Sequence, residues 1–127
     1  MITKQKRPKF LNLMRIHLPV TGLNSFAHRI SGALLFLAIP ILIYDFNLSI
    51  KDVASFNSLL ADFNSLPYKL LFTILAWAIG HHLLAGIRFL LHEIEIWASL
   101  KASIIVSWVV NISGVIIFIL VAGRIWL

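Results

Sequence analysis

Three apolar stretches, each about long enough to cross a bilayer, constrain this chain more than any other feature. The first runs roughly from Phe26 to Phe46 and the second from Pro67 to Leu91. The third runs from Ile104 to Leu120, with Arg124 and Trp126 at its exit near residue 124. A helix needs about 20 apolar residues to span a hydrocarbon core about 30 Å thick. Inside that core every backbone N–H and C=O must be paired within the protein, so stretches of this kind become helices. The expected fold is an all-α membrane protein with three transmembrane helices. Short connections make it an up-down-up bundle. The whole chain, 1–127, reads as a single membrane-anchor domain with a basic head over residues 1–24. Pro40 falls inside the first span and predicts a kink there.

Composition excludes the soluble classes. Hydrophobic residues make up 60% of the chain and charged residues only 13%, too few to coat a soluble surface. The formal charge of +6 would suit nucleic acid, but its distribution does not. Lys4, Lys6, Arg7, Lys9, Arg15 and Arg29 come first along the chain, with no acid among them. That is a topology signal. By the positive-inside rule, the N-terminus and the loop from His92 to Ser103 face the cytoplasm, or the matrix in an organelle. The expected location is the bacterial inner membrane, or its mitochondrial counterpart, as a multi-pass protein with lipid as one partner and nucleic acid as none. The head does not read as a signal peptide, because the apolar run starts late and is too long. Phe10 to Leu18 could instead form a short interfacial piece ended by Pro19. The chain has no cysteine, which excludes disulfides and thiolate-held metals. Small residues such as Gly32, Ala38, Ala78, Gly80, Ala85 and Gly114 let helices approach closely. Three helices leave much lipid-facing surface, so a partner within the membrane is expected.

Two polar clusters interrupt the apolar runs. Ser25, His28, Arg29 and Gly32 stand at i, i+3, i+4 and i+7, on one helical face. A hydroxyl, an imidazole and a guanidinium there could bind the carbonyl oxygens of a lipophilic ligand or the carboxylates of a cofactor. The structural alternative has Ser25 as a helix N-cap and Arg29 reaching lipid headgroups. The second cluster is Gly80-His81-His82, with Ala85, Gly86 and Arg88 following. His82 lies about nine residues, or about 13 Å, inside the membrane. Ionisable groups at such depth default to functional candidates. Gly86, one turn on from His82, leaves a smooth floor where a flat ring could lie. A neutral imidazole beside it could ligate haem iron. The alternative is a histidine bonded across a helix interface. His81 points about 100° away, aligned with Arg88, and competes for the ligand role. Arg88 could meet a propionate, a headgroup or Glu93. His92 and Glu93 read as solvated, as does Asp45 at the far end of the first span, and Arg124 reaches for headgroups. Up-down-up topology brings Ser25, His28, Arg29, His82 and Arg88 into one leaflet.

With these residues in place the chain resembles a known family: the cytochrome b membrane-anchor subunit of succinate dehydrogenase, respiratory complex II. Arg7-Pro8 followed by Ser25-x-x-His28-Arg29-x-Ser31-Gly32 carries the first part of the likeness. His82-x-x-x-Gly86-Ile87-Arg88-Phe89 carries the second. The resemblance implies that His82 is one axial ligand of a haem b, and hence of its iron. The other ligand would come from a second membrane-anchor subunit. It implies that Ser25 and Arg29 belong to the ubiquinone site, and that His28, Arg29, Arg88 and Gly86 lie near the haem and its propionates. It also implies an iron–sulfur subunit that relays electrons and a flavoprotein subunit that oxidises succinate. The chain would hold no dehydrogenase site of its own. Phe89 stands where many members have histidine, and His92-Glu93 replaces an aromatic or Met followed by Asp.

Three other readings compete, one of them a purely structural anchor that binds neither haem nor quinone. A fumarate reductase anchor would run the same chemistry backwards. A small transporter or proton-channel subunit would use His81 or His82 as a relay. The third span offers only Ser107, Asn111 and Ser113 toward such a path.

Overall fold

A computed structural model describes residues 17–127. The basic residues Lys4, Lys6, Arg7, Lys9 and Arg15, the Arg7-Pro8 pair and most of the interfacial piece lie outside them. Four helices follow one another: α1 (Val20–Lys51), α2 (Val53–Asp62), α3 (Leu66–Glu93) and α4 (Leu100–Trp126). No strand occurs among the described residues. The helices α1, α3 and α4 are each long and apolar enough to cross a membrane.

Each expected span is present, and each helix outruns it. The excess that bears on the polar residues is at the start of α1, which begins at Val20 rather than Phe26. Pro19 sits extended at φ −62°, ψ 157°, and its carbonyl accepts the Leu23 N–H at 2.9 Å. A proline has no N–H to lose at a helix start, so the helix begins as soon as the ring allows. Ser25 is therefore inside the helix and is not its N-cap. At the other end α1 runs on past Asp45 to Lys51 and passes through Pro40 as one helix.

The loop expected after the first span folds as α2. Asp52 is its N-cap, accepting the Ser55 N–H at 2.7 Å. That bond holds the Asp52 carboxyl below its ordinary value. Leu59 is the buried anchor of α2, which packs on α1.

The turn from α3 into α4 carries backbone strain. Ile96 N–H bonds Leu91 C=O at 2.9 Å and Glu95 N–H bonds His92 C=O at 3.1 Å. This double closure of a helix end favours glycine at its left-handed position. Here Glu95 holds that place at φ 65°. A Glu95→Gly exchange is expected to stabilise the protein by about 1 kcal/mol, read as a higher melting temperature of the purified complex. An unchanged or lower value would show that the Glu95 side chain offsets the strain.

In the bundle α3 is the middle helix, packed on both α1 and α4. The seams are built from small residues. Ala38, Ala78, Ala85, Ser107 and Gly114 are all buried. Large apolar side chains such as Phe36, Leu37, Ile43, Leu90 and Leu120 point outward. This inside-out arrangement suits a surround as apolar as the protein. The start of α1, the end of α3 and the start of α4 meet through Asn24, Arg88 and Ser103. The far end is closed by Tyr68, which donates to Asp45 at 2.9 Å, and by Trp126, which donates to Thr73 at 3.1 Å. The expectation that Asp45 is solvated is corrected: it is buried, with Oδ2 unpartnered. Because α1 does not stop at Asp45, the carboxylate stays within the bundle, where Tyr68 meets it.

Candidate functional site

The site begins with two parallel rings. His28 of α1 and His82 of α3 stack with centroids 4.0 Å apart and planes 8° from parallel. Both are partly exposed. Phe89, two turns on from His82, meets the His28 ring edge-on at 5.2 Å.

The nitrogens of His82 are not equivalent. Its Nδ1 lies 3.1 Å from the His28 carbonyl oxygen and 3.2 Å from Ser31 Oγ. A carbonyl only accepts. The single Ser31 hydroxyl proton goes to the same His28 carbonyl, at 2.8 Å. Both oxygens therefore present lone pairs to Nδ1, and the proton must sit on Nδ1. In the neutral ring that leaves Nε2 bare, with its lone pair free for a metal. A hydrogen-bond acceptor on the opposite nitrogen is how metal-ligating histidines are oriented.

One of the two glycines beside the pair makes the close approach possible. A Cβ at Gly32 would lie 2.9 Å from His82 Cε1, inside the limit real side chains observe. A Cβ at Gly86 would meet only His28 Nε2, at an ordinary 3.6 Å. The sequence places Gly86 beside His82 along one helix. Across the interface the partners cross over, so that Gly32 faces His82 and Gly86 faces His28.

His81 is in a different setting. It is 2% exposed and turned into the bundle. Its Nε2 lies 3.1 Å from Asn111 Oδ1, and its ring stacks on Trp77 at 5.4 Å. Gly114 lies against the ring, where a Cβ would be 3.1 Å from Cδ2. Arg88 shares this interior. Its Nη2 donates to Ser103 Oγ at 2.8 Å and its Nη1 makes a long 3.5 Å bond to Asn24 Oδ1. Asn24 Nδ2 in turn donates to Asn111 Oδ1 at 3.0 Å. Arg88 has donors only, so it fixes the amide orientation of Asn24, then that of Asn111. Asn111 Oδ1 therefore takes the proton of His81 Nε2. The line Arg88–Asn24–Asn111–His81 ties α1, α3 and α4 together.

The structure thus brings His28 and His82 together, with Gly86 alongside. Arg88 stands at the same end, but its hydrogen bonds go to Asn24 and Ser103. Its guanidinium reaches the site only through Phe89, over whose ring it lies at 5.1 Å. Ser25 is partly buried and Arg29 is exposed on α1 next to the pair. His92 is exposed in the last turn of α3, and Arg124 is exposed in the last turn of α4. Sequence reasoning missed the roles of Asn24, Ser31 and Ser103. The signal for Asn24 was a carboxamide one turn before His28, which lipid would not leave unpaired.

A three-span helical protein with paired imidazoles at one end of the bundle fits a cofactor-bearing membrane subunit. Residues 3–105 match the family described as succinate dehydrogenase/fumarate reductase transmembrane subunit, and the chain belongs to that family. It is 34% identical over 123 residues to the succinate dehydrogenase cytochrome b556 subunit of Coxiella burnetii (strain RSA 493 / Nine Mile phase I). That alignment covers 95% of this chain and 98% of the relative. It is 31% identical over 115 residues to the subunit of the same name from Rickettsia felis (strain ATCC VR-1525 / URRWXCal2), covering 91% and 90%.

Proposed function

We propose that this chain is the cytochrome b anchor of a succinate:ubiquinone oxidoreductase. In this reading His82 would hold the iron of one haem b through Nε2, together with a ligand supplied by a second anchor subunit. An iron–sulfur subunit docks on the cytoplasmic or matrix side and receives electrons from a flavoprotein. The enzyme activity belongs to the complex, in the bacterial inner membrane or its mitochondrial equivalent, with the N-terminus on the docking side. The names of both relatives favour succinate oxidation over fumarate reduction.

The observation that carries the reading is the bare Nε2 of His82. The Nδ1 proton is committed to two oxygens, and the ring is partly exposed beside a glycine. His81 also keeps one unpartnered nitrogen, Nδ1, but its ring is only 2% exposed and enclosed within the bundle, so a cofactor has no access to it. Haem b supplies a reversible one-electron store when bound. The chain's part is to hold the imidazole in one tautomer and orientation. Arg29, exposed on the same turn as His28, is the better-placed cation for the propionates and for charge developing on a quinone oxygen. Ser25, one turn earlier, would hydrogen-bond the quinone. His28 and Gly86 border the cofactor, and Arg88 stands behind them as the tie within the bundle.

The test is a reduced-minus-oxidised visible spectrum of the purified complex. Wild type should give a low-spin b-type signal that His82→Ala loses or alters and His81→Ala keeps. The reverse pattern would move the ligand to His81. A wild-type complex without haem would overturn the cytochrome reading.

A further inference from the structure

We infer that Ser31 is a positioning residue for His82, acting through its hydroxyl to fix the ring and strengthen its ligating nitrogen. The inference rests on the reading of His82 as the haem ligand. Ser31 is fully buried, and its Oγ touches two groups: the His28 carbonyl and His82 Nδ1. A buried hydroxyl can be satisfied by its own helix alone, through a bond to a carbonyl one turn back. Ser31 has that bond, to His28 three residues earlier. The helix bond spends the hydroxyl proton, and the remaining lone pair is what faces α3.

Three atoms thus close a small triangle. Ser31 Oγ–H donates to the His28 carbonyl, and His82 Nδ1–H is shared between that carbonyl and Ser31 Oγ. With one acceptor the imidazole could swing about a single bond. With two, on adjacent turns of one helix, its plane is set. That plane is the one observed parallel to His28, within 8°. Acceptors on Nδ1–H also push electron density toward Nε2, which makes the imidazole a stronger donor to a metal. A stronger axial donor favours the more highly charged, oxidised iron and lowers its potential. Removing the hydroxyl should weaken that donation and loosen the ring, while leaving the His28 carbonyl to hold the tautomer.

The experiment compares Ser31→Ala and Ser31→Thr in the purified complex, by redox titration of the haem and by electron paramagnetic resonance of the oxidised low-spin state. Ser31→Ala adds no bulk and suits a helix, so the complex should assemble. The expected result is a haem that is retained with a raised midpoint potential and a broadened or shifted low-spin resonance. Ser31→Thr, which keeps the hydroxyl, should restore both toward wild type. A Ser31→Ala haem with unaltered potential and resonance would overturn the inference while leaving His82 as ligand. Equal changes in both variants would also overturn it, because packing rather than the hydroxyl would then be responsible. Failure of the cytochrome reading looks different: it shows in the wild-type and His82→Ala spectra, with no reference to Ser31.

Discussion

Gly32→Val is expected to remove haem from the complex almost completely while the subunit still inserts. Even an alanine Cβ at this position would stand 2.9 Å from His82 Cε1. The Cβ rides on the α1 backbone and cannot retreat, so the imidazole must. The ring is pinned by two oxygens on Nδ1 and by the parallel His28 ring, so any retreat breaks those contacts together. A valine adds two methyl groups where no space exists for one. Overpacking of this kind costs about 1–3 kcal/mol, which a three-helix subunit held by partners can absorb. A ligand displaced by about 1 Å cannot be absorbed in the same way, since function needs its geometry held to about 0.5 Å. Gly80→Ala is the control. Its Cβ would meet Ile117 Cδ1 at 2.7 Å, a closer clash, but against the end of a flexible side chain away from the pair. It should lower the melting temperature and keep the haem-to-protein ratio. Equal haem loss in both variants would mean that general packing, not the Gly32–His82 contact, controls occupancy. Gly86→Ala meets only ordinary contact within this chain, so haem loss there would mark Gly86 as touching the cofactor itself.

The number of spans, their order and their alternation were legible because lipid leaves a chain few options. Twenty apolar residues in a row report where the hydrocarbon is. They do not report where a helix ends. Thr21, Asn24, Asn47 and Ser49 are polar and still helical, because a helix satisfies its own backbone wherever it lies. Asp45 was misjudged for that reason: the end of the apolar run was taken for the end of the structure. The helix α2 was hidden by its shortness, although Asp52 three residues before Ser55, followed by Val53, Phe56 and Leu59, is a capped, one-sided pattern. At the site, spacing along one helix could mark His28, Arg29 and His82, since a charged or titratable group in lipid stands out by type alone. It could not say that Gly32 rather than Gly86 faces His82, or that Ser31 reaches its Nδ1. Those facts depend on the register between α1 and α3, which is set by packing and leaves no trace in either helix by itself.

The same register buries Arg88, and the cost of that burial is open to measurement. Asn24→Leu should destabilise the complex by about 2 kcal/mol, as for a hydrogen bond to a charged group, whereas a neutral hydrogen bond lost between helices costs about 0.6 kcal/mol. The difference decides what Asn24 is for. Its bond to Asn111 is neutral, and Asn111 Oδ1 keeps His81 as a partner when Asn24 is gone. Its Oδ1, however, meets the guanidinium of an arginine only 7% exposed, whose other hydrogen bonds all go to Ser103. A buried charge stripped of one acceptor outweighs a lost amide pair. The same logic predicts that removing the charge repairs the damage. Asn24→Leu combined with Arg88→Leu should be more stable than Asn24→Leu alone, although it carries one more substitution. Melting temperatures of the complex for the wild type, both single variants and the double variant complete the cycle. Additive losses would show that Asn24 serves α1–α4 packing rather than Arg88. The haem spectrum of the double variant adds an independent readout. It should match wild type, because Asn24 and Ser103 draw the guanidinium into the bundle interior, about 120° round α3 from His82. A shifted or missing signal would show that Arg88 also reaches the cofactor, and that one arginine serves both the bundle and the haem.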